Sequence, residues 1–281
     1  MYQHILVALD GSLHGQAAGE QAILLAKQLG ARLIGVHVLD IGMLRSSTLH
    51  DFGGALGMEP QLHLRTQLET YMCSVGETLV AAFKQRCAEE GVEAEGFMKA
   101  ANVVETLLEL AHRNDLLVVG RHGSAWDLEP SSHPVGVTVQ QLIRQSAVPV
   151  MVTGSSAIPL RRVVVGFDGS PGAWRGLKQV AMLAQKLNLR VVLAHVHAHE
   201  QTESSEVLRG ALEYLAPLGV EATPRAVVGE SLYQLLSQVE QEEADLLVVG
   251  YEGYSRWREL LLGHTPEALL QKLSQRLWVA R

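Results

Sequence analysis

The chain carries one pattern twice, and that repetition constrains its fold more than any other feature. Ile5-Leu6-Val7-Ala8-Leu9-Asp10-Gly11-Ser12 returns as Val163-Val164-Val165-Gly166-Phe167-Asp168-Gly169-Ser170. Asp115-Leu116-Leu117-Val118-Val119-Gly120 recurs unchanged as Asp245-Leu246-Leu247-Val248-Val249-Gly250. Self-similarity at long period marks units that fold alike. A length of 281 residues agrees with two such units at roughly 100–200 residues each. From Asp10 to Asp115 is 105 residues but from Asp168 to Asp245 only 77, so 28 extra residues fall inside the first copy. We expect domains at 1–154, with an insertion at 41–60, and at 161–281. The linker is Gly154–Leu160, rich in small residues and carrying Pro159.

Within each copy, short apolar runs alternate with helical spacing. Strands are expected at His4–Asp10, Arg32–Asp40, Glu93–Ala100, Asp115–Arg121 and Val148–Gly154, then at Arg162–Asp168, Arg190–His197, Ala222–Val228, Ala244–Tyr251 and Arg276–Ala280. Continuous apolar runs of this kind suit strands buried on both faces of a parallel sheet. Leu13–Gly30, Leu62–Gly91, Val103–Arg113 and Thr138–Ala147 read as helices, with apolar positions recurring on one side. Strand, helix, strand in this order implies right-handed crossovers and an α/β fold of two doubly wound domains. Ile41–Pro60 leaves the carboxyl end of the second strand, the side on which open α/β sheets bind ligands. It reads either as a lid or as a glycine-rich insertion.

Charge and composition narrow the function classes. The net charge is −7, with 10 basic against 16 acidic residues in 1–154 and 13 against 14 in 155–281. Neither half carries the basic field that sequence-independent nucleic-acid binding needs. Mean hydropathy is only +0.12, and no apolar run approaches the ~20 residues of a membrane span. The opening Met1-Tyr2-Gln3-His4-Ile5 lacks a basic n-region and runs straight into a strand, so the cytoplasm is the expected location. Cys73 and Cys87 lie 14 residues apart. On one helix that is ~21 Å, too far for a bridge, so both are read as reduced thiols.

Asp10 and Asp168 end their first strands, each followed by Gly-Ser. Such a turn caps the next helix, and it also sits at the ligand-binding edge. After the fourth strand of the second copy comes Gly250-Tyr251-Glu252-Gly253, then nine residues, then Gly263-His264-Thr265. Glycines there let backbone amides approach an anion, and a helix start adds unpaired N–H groups, so the physical reading is a phosphate site. In the first copy twelve residues separate Gly123 from Gly136; the loop holds Asp127, Glu129, Pro130 and Pro134, and Val137 stands where a hydroxyl would serve. Arg121 and His122 are candidate donors there, whereas Glu252 opposes phosphate unless Arg256 or Arg258 turns inward. The second site therefore ranks above the first. His195-x-His197-x-His199 could gather imidazoles on one strand face, but His195 matches His37 of the first copy, and no metal is expected.

These residues resemble the universal stress protein superfamily, and duplication over the whole chain is similar to its tandem two-domain members. The family pattern is Gly, two residues, Gly, nine residues, Gly, then Ser or Thr. The resemblance implies an adenine nucleotide alpha hydrolase-like fold with a five-stranded parallel sheet per domain, and pairing of the fifth strands in an intramolecular pseudo-dimer. It further implies ATP, with or without Mg²⁺, held at Asp168, Val196, Val249, Gly250, Gly253, Gly263, His264 and Thr265. In the first half the matching positions are Asp10, Val38, Val119, Gly120, Gly123 and Gly136. His264 replaces the expected hydroxyl residue, although Thr265 follows and an imidazole donates to phosphate oxygen.

Enzyme signatures are missing: neither Gly-x-x-x-x-Gly-Lys-Ser/Thr nor Gly-x-Ser-x-Gly occurs. The expectation is a cytoplasmic stress-response protein, not an enzyme beyond weak incidental ATP hydrolysis, that binds an adenine nucleotide as a sensor and acts through protein partners. The alternative is a scaffold of the same fold that binds no nucleotide. Nucleic acid and membrane are not expected partners, and further homodimerisation is left open.

Overall fold

Apolar runs become strands and amphipathic stretches become helices, in the same order in both copies. The computed structural model describes residues 2–40, 61–123, 136–197, 203–229, 231–251, 273 and 275–281. The first copy runs β1 (His4–Ala8), α1 (Leu13–Leu29), β2 (Arg32–Asp40), α2 (Gln61–Glu89), β3 (Ala94–Ala101), α3 (Val103–Ala111), β4 (Leu116–Gly120), α4 (Val137–Gln145) and β5 (Val150–Thr153). The second runs β6 (Arg162–Gly166), α5 (Pro171–Leu187), β7 (Arg190–His197), α6 (Glu203–Leu215), β8 (Ala222–Val228), α7 (Ser231–Gln241), β9 (Leu246–Gly250) and β10 (Arg276–Ala280). Helix α2 has 29 residues against 13 in its counterpart α6, so it absorbs much of the extra length of the first copy. The insertion 41–60, and with it the lid expectation, lies outside the described residues.

Local chemistry sets these boundaries. The Ser12 hydroxyl accepts the Gly15 N–H to start α1, and Ser170 accepts that of Ala173 to start α5. Helix α1 ends on left-handed Gly30 (φ 68°) and α5 on left-handed Asn188 (φ 52°). Asp115 Oδ2 receives the N–H groups of Gln3 and His4, and Asp245 Oδ2 those of Arg161 and Arg162, so each fourth strand is tied to the first at its amino end.

All ten strands form one sheet, in the order β3-β2-β1-β4-β5-β10-β9-β6-β7-β8. Within each half the pairing is parallel. At the centre β5 and β10 pair antiparallel, Val150 against Val279, Met151 against Trp278 and Val152 against Leu277, as the resemblance implied. Alternate strand residues feed two cores. One packs Ile5, Val7, Val118, Met151 and Val165 against α1, α2, α5 and α6; the other packs Leu6, Leu117, Val119, Val152 and Leu247 against α3, α4 and α7. Trp278, fully buried at the seam, meets Tyr2 edge to face at 5.4 Å. The outer strands are guarded: β8 carries Pro224, which has no N–H to offer, and β3 carries Glu95 and Lys99, paired with Arg32 and Glu109.

Cys73 and Cys87 both lie on α2 as unbridged thiols. Cys87 is fully buried, and that burial pushes its thiol up to about 11. No helix among the described residues is long and apolar enough to cross a membrane.

Candidate functional site

The turn after β1 takes the same form in both halves. Gly11 and Gly169 both hold φ +77°, which only glycine adopts without strain. Asp10 Oδ1 accepts the Ser12 N–H (3.0 Å) and hydroxyl (2.7 Å), and Asp168 Oδ1 accepts the Ser170 N–H (3.0 Å). One carboxylate oxygen of each Asp therefore serves the turn. Asp10 Oδ2 faces the neighbouring loop, since a Cβ on Gly123 would stand 3.2 Å from it. Asp10 and Gly123 thus converge from β1 and β4. Strand order reverses between these two strands, which is where open α/β sheets leave a ligand crevice.

The first glycine after each fourth strand has a packing reason of its own. A Cβ on Gly120 would lie 2.5 Å from the carbonyl carbon of His14, and one on Gly250 would lie 2.1 Å from that of Gly172. The first turn of α1 or α5 rests directly on the strand end, so both glycines are required by the fold whether or not an anion binds. Gly136 differs. It caps α4 without a side-chain hydrogen bond, and a Cβ there would meet nothing closer than the Arg121 carbonyl oxygen at 3.7 Å. Gly136 thus gives the first N–H groups of α4 no side-chain cap of its own at the carboxyl edge, where a helix dipole favours an anion.

Val119, Val196 and Val249 are buried and Val38 is half-buried, all on the face covered by α3, α4 and α7. They form apolar floor beneath the edge. His37 and His195, equivalent in the repeat, each place Nδ1 against the carbonyl just past the first strand, Leu9 O at 2.7 Å and Phe167 O at 2.8 Å. His195 is thereby explained as structure. The His195 and His197 rings stack at 5.7 Å, His199 lies outside the described residues, and no group of three or more metal-ligating side chains occurs among the described residues.

Of the first-half donors, His122 is buried edge to face on His14 at 4.7 Å, and Arg121 is turned to the seam, where it donates to the carbonyl of Gln275. Sequence reasoning named Arg121 as a donor but missed this contact with the second half. It also missed Arg276, whose Nε donates to Gln21 Oε1 at 2.5 Å and whose Nη2 donates to the Ser156 carbonyl. A signal existed: Gln21 and Gln179 occupy the same place in the two copies, polar residues within apolar helix faces. The expected residues Gly253, Gly263, His264 and Thr265 lie outside the described residues, as do Glu252, Arg256 and Arg258.

With this geometry in view, comparison with known proteins is informative. The sequence model of the universal stress protein family matches residues 1–154 and again 159–281. The chain belongs to this family. A universal stress protein of Synechocystis is 24% identical over 97% of both chains. Among solved structures, a universal stress protein from Archaeoglobus fulgidus superposes with a TM-score of 0.74 at 18% identity, covering 99% of this chain and 96% of that one. A putative universal stress protein from Pseudomonas aeruginosa gives 0.66 at 16% identity, covering 99% and 93%. At those identities the structural likeness speaks for the fold, which in this universal stress protein is the tandem α/β arrangement described above.

Proposed function

We propose that this universal stress protein binds an adenine nucleotide, ATP with or without Mg²⁺, and works as a ligand-set sensor in a cytoplasmic stress response. The observation that carries this reading is the crevice at the switch of strand order, where Asp10 Oδ2 and Gly123 converge near an α4 start that Gly136 leaves without a side-chain cap of its own. The N–H groups at the α4 start suit phosphate oxygens, the Asp10 carboxylate suits a ribose hydroxyl, and the half-buried Val38 suits a base. In the second half Asp168, Val196, Val249 and Gly250 hold the equivalent places, and the resemblance adds Gly253, Gly263, His264 and Thr265 as the phosphate-binding positions. Binding shifts the population of surface states that protein partners read, with ATP hydrolysis at most incidental.

The test is to denature freshly purified protein and identify released small molecules by mass spectrometry, with the ratio per chain. Adenine nucleotide is expected. Gly263→Val removes it if the second half is the working site, and Gly123→Val if the first is. A chain that releases none, and whose melting temperature ATP does not raise, is a scaffold instead. The packing need for Gly120 and Gly250 favours that second reading, since it leaves fewer glycines for a ligand to explain.

A further inference from the structure

Arg121 answers to no requirement of the repeat. The second half builds the same fold with Tyr251 at the equivalent position. Arg121 follows β4 on the parity of Leu117 and Val119, which puts its side chain on the face covered by α3 and α4. It is only 8% exposed. One Nη donates to the carbonyl of Gln275, 2.9 Å away and 154 residues along the chain, just before β10. Among the described residues its Nε has no hydrogen-bond partner and no carboxylate pairs with it. Burial without a counter-charge pushes the guanidinium down to about 10. A buried cation with an open N–H is costly until an anion neutralises it.

The backbone of the same residue borders a helix start. The Arg121 carbonyl accepts the Gly136 N–H at 3.2 Å, so the α4 start, which Gly136 leaves without a side-chain cap of its own, is anchored to the residue that carries the open charge. We infer that Arg121 couples the two halves through a phosphate group. Its guanidinium, steadied by the Gln275 carbonyl of the second half, is the counter-charge for an oxyanion at the start of α4, so occupancy there and the β5/β10 seam stabilise each other. A guanidinium has five N–H donors in a planar fork, enough to hold both a carbonyl and an oxyanion. The coupling is reciprocal, because whatever binds the joined state more tightly also favours joining. The nucleotide reading supplies one source of that phosphate; free phosphate is the other.

The full chain is tested by thermal melting and amide hydrogen exchange with pyrophosphate, then ATP, against sulfate-free buffer of equal ionic strength. Wild type, Arg121→Gln and Arg121→Lys are compared. We expect pyrophosphate to raise the melting temperature and to slow exchange across 150–153 and 276–280 in the wild type. Arg121→Gln should weaken binding at least tenfold and abolish the exchange effect, yet melt without ligand no lower than wild type, and Arg121→Lys should restore part of the binding. If Arg121→Gln melts well below wild type and still responds to pyrophosphate, Arg121 is a structural tie and the inference is overturned. Equal ATP binding in wild type and Arg121→Gln, with no slowing at the seam, sinks the coupling and leaves the nucleotide reading standing. A response to pyrophosphate but not ATP, lost in Arg121→Gln, does the reverse for the first half. Silence of the wild type toward both overturns both.

Discussion

The carboxyl edges of the two halves share their scaffold and differ in their ends. Shared are the left-handed glycine of the first turn, the serine cap, the histidine held by the carbonyl just past the first strand, and the glycine beneath the first helix. Different are Arg121 against Tyr251, and a first-half arginine that reaches a second-half carbonyl against a tyrosine ring that lies 3.7 Å below the Arg281 guanidinium. What the copies kept is largely what the fold demands, such as a glycine where a Cβ would strike backbone. Function is better sought where they diverge.

The sharpest way to break this comparison is at the shared glycines. Gly120→Val and Gly250→Val should each destabilise by on the order of 4 kcal/mol, because backbone rather than a flexible side chain must move. Calorimetric melting of both variants checks this. A mild effect in either half would mean that its glycine is kept for a ligand and not for packing.

Next in size is the seam. Val150→Asp or Val279→Asp places an unpaired charge at a position 0% or 1% exposed, which should cost on the order of 3 kcal/mol or more. Small-angle scattering should show a less compact molecule, and unchanged melting and compactness would mean that the halves do not depend on β5 and β10 meeting.

The smallest effect distinguishes the halves by pH. Cys87 holds the place in α2 that Leu215 holds in α6; each carbonyl receives the N–H five residues on, from Val92 and Val220. Only the first half therefore has a titrating group there. An unfolded thiol ionises near about 8.5, whereas the buried one waits until about 11. Between those values the native state holds the extra proton, so stability falls as pH rises. Cys87→Ala should lose that fall, and the difference between the two melting curves from pH 8 to 10 isolates the thiol.

Most of the fold was legible because its signals are local or repeated. β2, β7, β8 and β10 have the bounds their apolar runs predict, and most other strands come out shorter at one or both ends, as β1 does where Asp10 is taken up by its turn. The Ser12 and Ser170 caps and the length of α2 followed from the same reasoning. The arrangement of the candidate residues was legible in part. Asp10, Gly123 and Gly136 gather at one edge, but that Gly120 and Gly250 answer to helix packing depends on how closely two elements approach, which no spacing states. The seam contacts were hidden for a related reason: Arg121 meets Gln275 across 154 residues and Arg276 meets Gln21 across 255, and nothing near either residue in the chain announces its partner.

The antiparallel step between β5 and β10 turns the polarity of the sheet over halfway across it. The strands of the first half end on one rim, those of the second on the other, so the Asp10 and Asp168 turns lie at opposite poles. A body large enough to cover one pole leaves the other in solvent. β10 runs from Arg276 at one rim to Ala280 at the other, roughly 13 Å at about 3.3 Å per residue.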